Sequence, residues 1–194
     1  MTAAVFLDRD GVLNVKAPEG RYIAGWGQFE LLPGVAAALR ELRRRDSQAR
    51  LFVITNQRGV ARGLIDAASL EDLHRRMRAE LSRADVELDG IYVCPHEANS
   101  CDCRKPEPGL LRQALADFPE VEPQRSVLIG ESLADLELAQ RFGCAAYLVG
   151  PPDRRRVVIA GAVSRRVPVA GEGASLAALL RAYPIVTRGP TIRR

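Results

Sequence analysis

Two aspartates one residue apart, Asp8 and Asp10, leave an apolar run and meet Gly11. In extended backbone, residues i and i+2 project to one face, so the two carboxylates point the same way. Left alone they raise each other's pKa; a cation or a shared proton resolves the conflict. An oxygen-only pair of this kind suits Mg²⁺, although Asp-x-Asp-Gly is also ordinary turn chemistry after a strand. Further along the chain, Thr55 offers a hydroxyl ahead of loop N–H groups, a combination that suits a phosphoryl oxygen as well as a turn. Lys105 stands before Pro106 and Pro108. Of 28 basic residues only Lys16 and Lys105 are lysine, so the compact ammonium at 105 is a chemical choice more than a generic surface charge. Glu131 and Asp135 close the set, with Ser132-x-x-Asp135 also fitting a helix capping box. Acid pair, hydroxyl, lysine and further acids together describe metal-assisted phosphoryl transfer to an aspartate.

These residues need a frame that brings them together. Short apolar runs at Ala4–Leu7, Leu51–Ile54, Ile91–Val93, Ser126–Ile129 and Ala145–Val149 read as strands buried on both faces. Amphipathic stretches lie between them. Val35, Leu39 and Leu42 mark one helix, and Leu70, Leu73, Met77 and Leu81 a second with Asp66 as N-cap. Leu111, Ala114, Leu115 and Phe118 mark a third, and Leu136, Ala139 and Phe142 a fourth. Strand–helix alternation predicts an α/β fold with a doubly wound, Rossmann-like parallel sheet. Ligands of such sheets bind beyond the carboxyl ends of the strands, where Asp8, Thr55 and Glu131 fall. After Gly150 the pattern weakens: Arg156–Ala160 reads as a short strand and Ser175–Tyr183 as a helix. The expectation is one domain over residues 1–194, with the motifs in 4–150 and a less legible part in 151–194.

Bulk composition narrows the function. The chain has 194 residues, 47% hydrophobic and 27% charged, enough for one core and too ordered in composition for a disordered chain. No stretch approaches the length of a membrane span and no signal-peptide pattern opens the chain, so a soluble, cytoplasmic, monomeric protein is expected. Net charge is +4, carried by arginine runs such as 43–45, 154–156, 165–166 and 193–194. Without interleaved aromatics these read as solvated faces, and no nucleic-acid partner is expected.

Asp8-x-Asp10-Gly11, Thr55-Asn56, Lys105-Pro106 and Gly130-Glu131-x-x-x-Asp135 resemble the four ordered motifs of haloacid-dehalogenase-type phosphatases, over about Val5 to Val149. The resemblance implies roles. Asp8 attacks phosphorus, and Asp10 protonates the leaving alcohol and then activates water. Thr55 and Lys105 neutralise phosphoryl oxygens, while Asp8, the Asp10 carbonyl and Glu131 hold Mg²⁺. The family usually has aspartate where this chain has Glu131; the extra methylene shifts the carboxylate by about 1.5 Å, so weaker Mg²⁺ binding, or use of Mn²⁺, is expected. Only 44 residues separate Asp10 from Thr55 and 49 separate Thr55 from Lys105, which leaves no room for a large cap domain. The rim should come from residues 15–30, where Tyr22, Trp26 and Phe29 lie, and from the loop before Lys105; Trp26 is a candidate for packing on a substrate and Phe29 for anchoring on the core.

That loop, CPHEANSCDCRKP, gathers Cys94, His96, Cys101 and Cys103. Four soft donors in ten residues suit tetrahedral structural Zn²⁺; a reactive thiol cluster or another soft metal is the alternative. Cys144 and His74 read as packing residues. The C-x-H…C-x-C-R-K-P order resembles the branch that contains heptose-1,7-bisphosphate 7-phosphatases and histidinol-phosphatases. Asn56–Gly63 looks like the heptose version, whereas the four-residue gap from His96 to Cys101 is nearer the histidinol version. The resemblance implies a small phosphorylated sugar as substrate, the 7-phosphate of a heptose bisphosphate, with Asn56 and Gln57 on its hydroxyls and Arg104 on its distal part. Histidinol phosphate is the alternative within the class; a phosphate-binding module weakened at Glu131 is the alternative outside it.

Overall fold

A computed structural model describes residues 2–183 and 185; the pair Arg193–Arg194 lies outside the described residues. Its frame is one six-stranded sheet in the order β3-β2-β1-β4-β5-β6, every pair parallel. The strands are β1 (Ala4–Leu7), β2 (Arg50–Asn56), β3 (Gly90–Cys94), β4 (Val127–Gly130), β5 (Ala145–Val149) and β6 (Gly171–Gly173). The helices are α1 (Val35–Arg45), α2 (Ala67–Ser82), α3 (Gly109–Asp117), α4 (Leu133–Phe142), α5 (Pro152–Ser164) and α6 (Leu176–Ala182). The doubly wound parallel fold expected from the sequence is the one observed.

Period-two alternation along the strands divides the core into two layers. Val5, Leu7, Leu51 and Val53 face a layer with Leu39, Leu42, Met77 and Leu179 from α1, α2 and α6. Ala4, Phe6, Phe52 and Ile54 face the other, with Leu110, Leu111, Leu136 and Ala139 from α3 and α4. Both faces of the central strands are therefore dry, which is why those runs are continuously apolar. In the second layer Phe52 contacts Phe6, Phe118 and Tyr92 at ring-centroid distances of 5.4, 5.0 and 5.8 Å. Asp66 caps α2 as expected, accepting from the Ser69 amide at 2.9 Å.

The part after Gly150 differs from expectation. Arg156–Ala160 is not a strand but the middle of α5. Its β-branched run suggested a strand, yet Pro152 in the first turn opens a helix, and Val158, Ile159 and Ala162 pack on the second layer. Val157 and Val163 point outward, 74% and 71% exposed. The sheet's edge strand β6, Gly-Glu-Gly, had no apolar signal to betray it. The helix expected at Ser175–Tyr183 is α6, with the Ser175 hydroxyl accepting from the Ala178 amide at 3.2 Å. Among the described residues no helix is long and apolar enough to cross a membrane.

Candidate active site

β1 lies between β2 and β4, so the chain winds away from it in both directions and a crevice opens at the carboxyl ends of β1 and β4. A cavity of about 470 Å³ sits there. Asp8, Asp10, Thr55, Asn56, Gln57, Lys105 and Glu131 all line it, joined by residues 16–23 and Arg154. Parallel pairing sets the geometry. The Asp8 amide donates to Ile129 O at 3.0 Å, holding the end of β1 level with the end of β4. Gly11 is required where Glu131 packs across: its φ is +82°, and a Cβ there would lie 2.6 Å from Glu131 Oε2.

The inner wall is tied by Lys105. Its Nζ lies 2.8 Å from Asp8 Oδ1 and 2.7 Å from Asp135 Oδ1, and it donates to Ile54 O at 3.3 Å. The Lys105 side chain is 4% exposed and that of Asp135 0%. Burial lowers the lysine's proton affinity, but the two carboxylates outweigh it and hold the ammonium well above its ordinary range. Asp135 has a second task, since its Oδ2 accepts from the Ser132 amide, the Ser132 hydroxyl and the Glu131 amide at 3.0, 2.6 and 3.2 Å. The capping box and the charged partner of Lys105 are thus one residue. Gly130 makes room for it, because a Cβ there would lie 2.2 Å from the Asp135 Cβ.

Asp8 and Asp10 share a strand end but not an environment. Burial pushes the Asp8 carboxyl up to about 7, Lys105 pulling the other way and Asp135 adding repulsion. Asp10 is also raised by burial, but Arg9 and hydrogen bonds from Asn14 and Gln57 overcome it and hold the carboxyl below its ordinary value. Arg9 Nη2 donates to both Asp10 oxygens at 3.0 Å, and Arg9 Nη1 donates to His74 Nε2 at 3.0 Å. Arg9 is fully buried. The guanidinium stays protonated, so the imidazole must accept, and burial together with that cation lowers His74 to about 4. His74 is therefore a packing residue with a specific acceptor role.

Gln57 links the second motif to the first. Its Nε2 donates to Thr55 Oγ1 at 2.7 Å and to Asp10 Oδ2 at 2.9 Å. Asn56 lines the cavity but its amide is engaged by the backbone of Lys105, accepting from the amide at 3.1 Å and donating to the carbonyl at 3.3 Å. Arg104 does not line the cavity, and its Nη1 is buried without a hydrogen-bond partner. Trp26 and Phe29 stack on each other at 5.2 Å and pack against the core, outside the lining. Tyr22 lines the rim as expected, with Ile23 beside it, and Phe29 anchors on the core as expected, whereas Trp26 packs there too instead of lining the cavity.

The donors fit a hard divalent cation: Asp8 and Glu131 supply largely buried carboxylate oxygens that line the same cavity. The cysteine loop fits a soft one. The donor atoms of Cys94, His96, Cys101 and Cys103 all lie within 4.8 Å of one another. Neighbouring pairs are 3.2–3.8 Å apart, close to the edge of a tetrahedron with ~2.3 Å metal–sulfur bonds. Burial raises the Cys94 and Cys103 thiols; at Cys101 burial is outweighed by hydrogen bonds from its neighbours, which bring it down to about 7.

Comparison with known proteins agrees with this geometry. A family described as HAD-hydrolase-like matches residues 102–157. D-glycero-alpha-D-manno-heptose-1,7-bisphosphate 7-phosphatase of Mycobacterium tuberculosis is 45% identical over 143 residues, 73% of this chain and 74% of that protein. The D-glycero-beta-D-manno-heptose-1,7-bisphosphate 7-phosphatase of Haemophilus influenzae is 35% identical over 184 residues, 91% and 90% of the two chains. The crystal structure of D,D-heptose 1,7-bisphosphate phosphatase from B. bronchiseptica, complexed with magnesium and phosphate, superposes with a TM-score of 0.79 at 32% identity, covering 91% and 95%. The chain belongs to the haloacid-dehalogenase-like hydrolases. It is a phosphatase of that family, with the capless parallel sheet the motifs implied.

Two cavity residues of this haloacid-dehalogenase-like phosphatase were missed from sequence. Lys16 Nζ pairs with Glu131 Oε1, and Arg154 Nη1 with Glu131 Oε2 at 2.9 Å. Arg154 was hidden in a run read as a solvated face. Lys16 carries the same signal as Lys105, being the other lysine of the chain, and it stands in the 15–30 segment expected at the rim.

Proposed function

We propose that this enzyme removes the 7-phosphate of D-glycero-D-manno-heptose 1,7-bisphosphate through an aspartyl-phosphate on Asp8. In the first half-reaction an Asp8 oxygen bonds to phosphorus while the ester bond breaks, and Asp10, held ionised by Arg9 until then, passes to the departing alcohol a proton it takes from the incoming phosphate monoanion. In the second, Asp10 takes a proton from the water that attacks phosphorus, releasing phosphate and restoring Asp8. Thr55 and Lys105 meet the phosphoryl oxygens. The Gln57 amide, bonded to both Thr55 and Asp10, keeps acid/base and hydroxyl in register. Mg²⁺ bound by Asp8, the Asp10 carbonyl and Glu131 would supply charge neutralisation and orient the phosphoryl group. Zn²⁺ in the Cys₃His set would fix the loop that delivers Lys105, the described residues acting as one catalytic unit.

The observation that carries this reading is the meeting of Asp8, Asp10, Thr55, Lys105 and Glu131 around one cavity in a chain 35–45% identical to the heptose-bisphosphate phosphatases. Those relatives also favour a heptose bisphosphate over histidinol phosphate. The test is phosphate release from both anomers of heptose 1,7-bisphosphate and from histidinol phosphate, with Mg²⁺ and with Asp8→Asn as control. Faster turnover of a heptose bisphosphate, lost in the variant, is expected; preference for histidinol phosphate would overturn the substrate but keep the chemistry. Glu131→Asp should lower the Mg²⁺ concentration needed for half-activation several-fold, and an unchanged requirement would mean that the longer side chain is neutral.

A further inference from the structure

Resting on the phosphatase reading, a second question is which groups meet the part of the substrate away from the reacting ester. The cations that line the cavity differ sharply. Lys105 is 4% exposed and committed to Asp8 and Asp135. Lys16 and Arg154 have side chains 45% and 50% exposed, and both hold the same carboxylate, Glu131, which is 7% exposed. They reach it from separate elements, Lys16 from the loop after β1 and Arg154 from the first turn of α5. Arg21 is the remaining exposed cation of the lining and has no link to Glu131. Arg104, expected to read the distal part of the substrate, is outside the lining.

Glu131 is thus shared. It is the fourth-motif acid expected to serve a divalent cation, yet both of its oxygens are already engaged by positive charges. A divalent cation drawing on that carboxylate would lie within a few ångströms of both, and like charges at such range repel. A phosphate dianion offers Lys16 and Arg154 an equivalent set of charge-assisted bonds, and the arginine fork suits it in particular.

We propose that Lys16 and Arg154 form an exchangeable anion subsite, holding Glu131 until a second phosphate of the substrate takes them over and returns a Glu131 oxygen to the metal. The ligand class is a small bisphosphorylated molecule. By linkage, the distal phosphate tightens divalent-cation binding and the cation tightens the distal phosphate by the same factor.

The double variant Lys16→Gln/Arg154→Gln tests this, with Arg154→Lys as the charge-keeping companion. In the protein without sugar, calorimetric titration with Mn²⁺ should show about tenfold tighter binding in the double variant, because the competing charges are gone. In the unmutated protein, heptose 1-phosphate should tighten Mn²⁺ binding; in the double variant that effect should vanish. The kcat/KM ratio of heptose 1,7-bisphosphate to heptose 7-phosphate should fall at least about tenfold in the double variant and largely survive in Arg154→Lys. An unchanged Mn²⁺ affinity or an unchanged ratio overturns the exchange. Absence of phosphate release from either ester by the unmutated protein would instead overturn the phosphatase reading itself.

Discussion

The two sides of the reaction cavity carry similar charges in opposite settings. On the inner wall Lys105, Asp8 and Asp135 are nearly sealed from solvent, and Lys105 has three acceptors. On the outer rim Lys16 and Arg154 reach Glu131 with side chains about half exposed. A buried pair that loses one partner leaves a charge with no solvent to receive it, which costs about 3–5 kcal/mol; an exposed pair is worth about 0–1 kcal/mol. The inner wall is therefore a fixed frame and the rim an adjustable one. Reaction geometry needs the first, and admitting a ligand needs the second.

The comparison can be broken most directly at Lys105. Lys105→Met should destabilise the fold by about 3–5 kcal/mol in urea unfolding and reduce phosphate release to background; a loss below about 1 kcal/mol would erase the distinction between wall and rim. Behind Asp10, the Arg9–His74 pair extends the frame and makes it pH-sensitive. His74 titrates near 6.5 when unfolded and near 4 when folded. Between those values the unfolded chain binds the extra proton, so the His74 contribution to stability falls as pH is lowered from 6.5 to 4, by up to about 3 kcal/mol, while Asp8, raised to about 7, contributes in the opposite direction. His74→Gln, which keeps an acceptor for Arg9, should remove that contribution, so that the variant loses less stability than the unmutated protein as pH is lowered from 6.5 to 4 in denaturant titrations. The proposed zinc loop sharpens the contrast from outside the cavity. Cys103→Ser should abolish stoichiometric zinc by elemental analysis and lower Tm by roughly 5 °C, for about 2 kcal/mol. The smallest effect belongs to the rim: Lys16→Gln and Arg154→Gln should each change stability by less than about 1 kcal/mol in the same unfolding assay.

Much of the frame was legible because burial on both faces leaves a continuous apolar trace. β1 through β5 and α1 through α4 announced themselves in that way, and the acids, threonine and lysine of the motifs stand at the strand ends. What escaped did so for definable reasons. β6 has β5 as its sheet partner, and its glycines let Tyr183 and Leu179 lie close over it, so Gly-Glu-Gly has no apolar pattern to read. α5 wears β-branched residues on exposed positions, where packing does not select them. Arg9 looks like a spacer between two aspartates, yet it is fully buried; a single sequence does not reveal that its partner, His74, lies in α2. Asn56 was expected to face hydroxyls because of its place in the second motif, and the structure gives it the backbone of Lys105 instead.

Strand order has a consequence for how the protein comes into being on the ribosome. β1 carries the nucleophile and is the first strand made, but its neighbours are β2 and the much later β4, with Val5 beside Val127. A nascent chain that has not yet exported β4 presents a fully apolar strand with one unpaired edge, a template for wrong partners. Pairings so distant in sequence also form slowly. Translation arrested before Val127 should therefore yield chains that associate with holdase chaperones or aggregate, and reactive competence should arrive only after β4 docks beside β1.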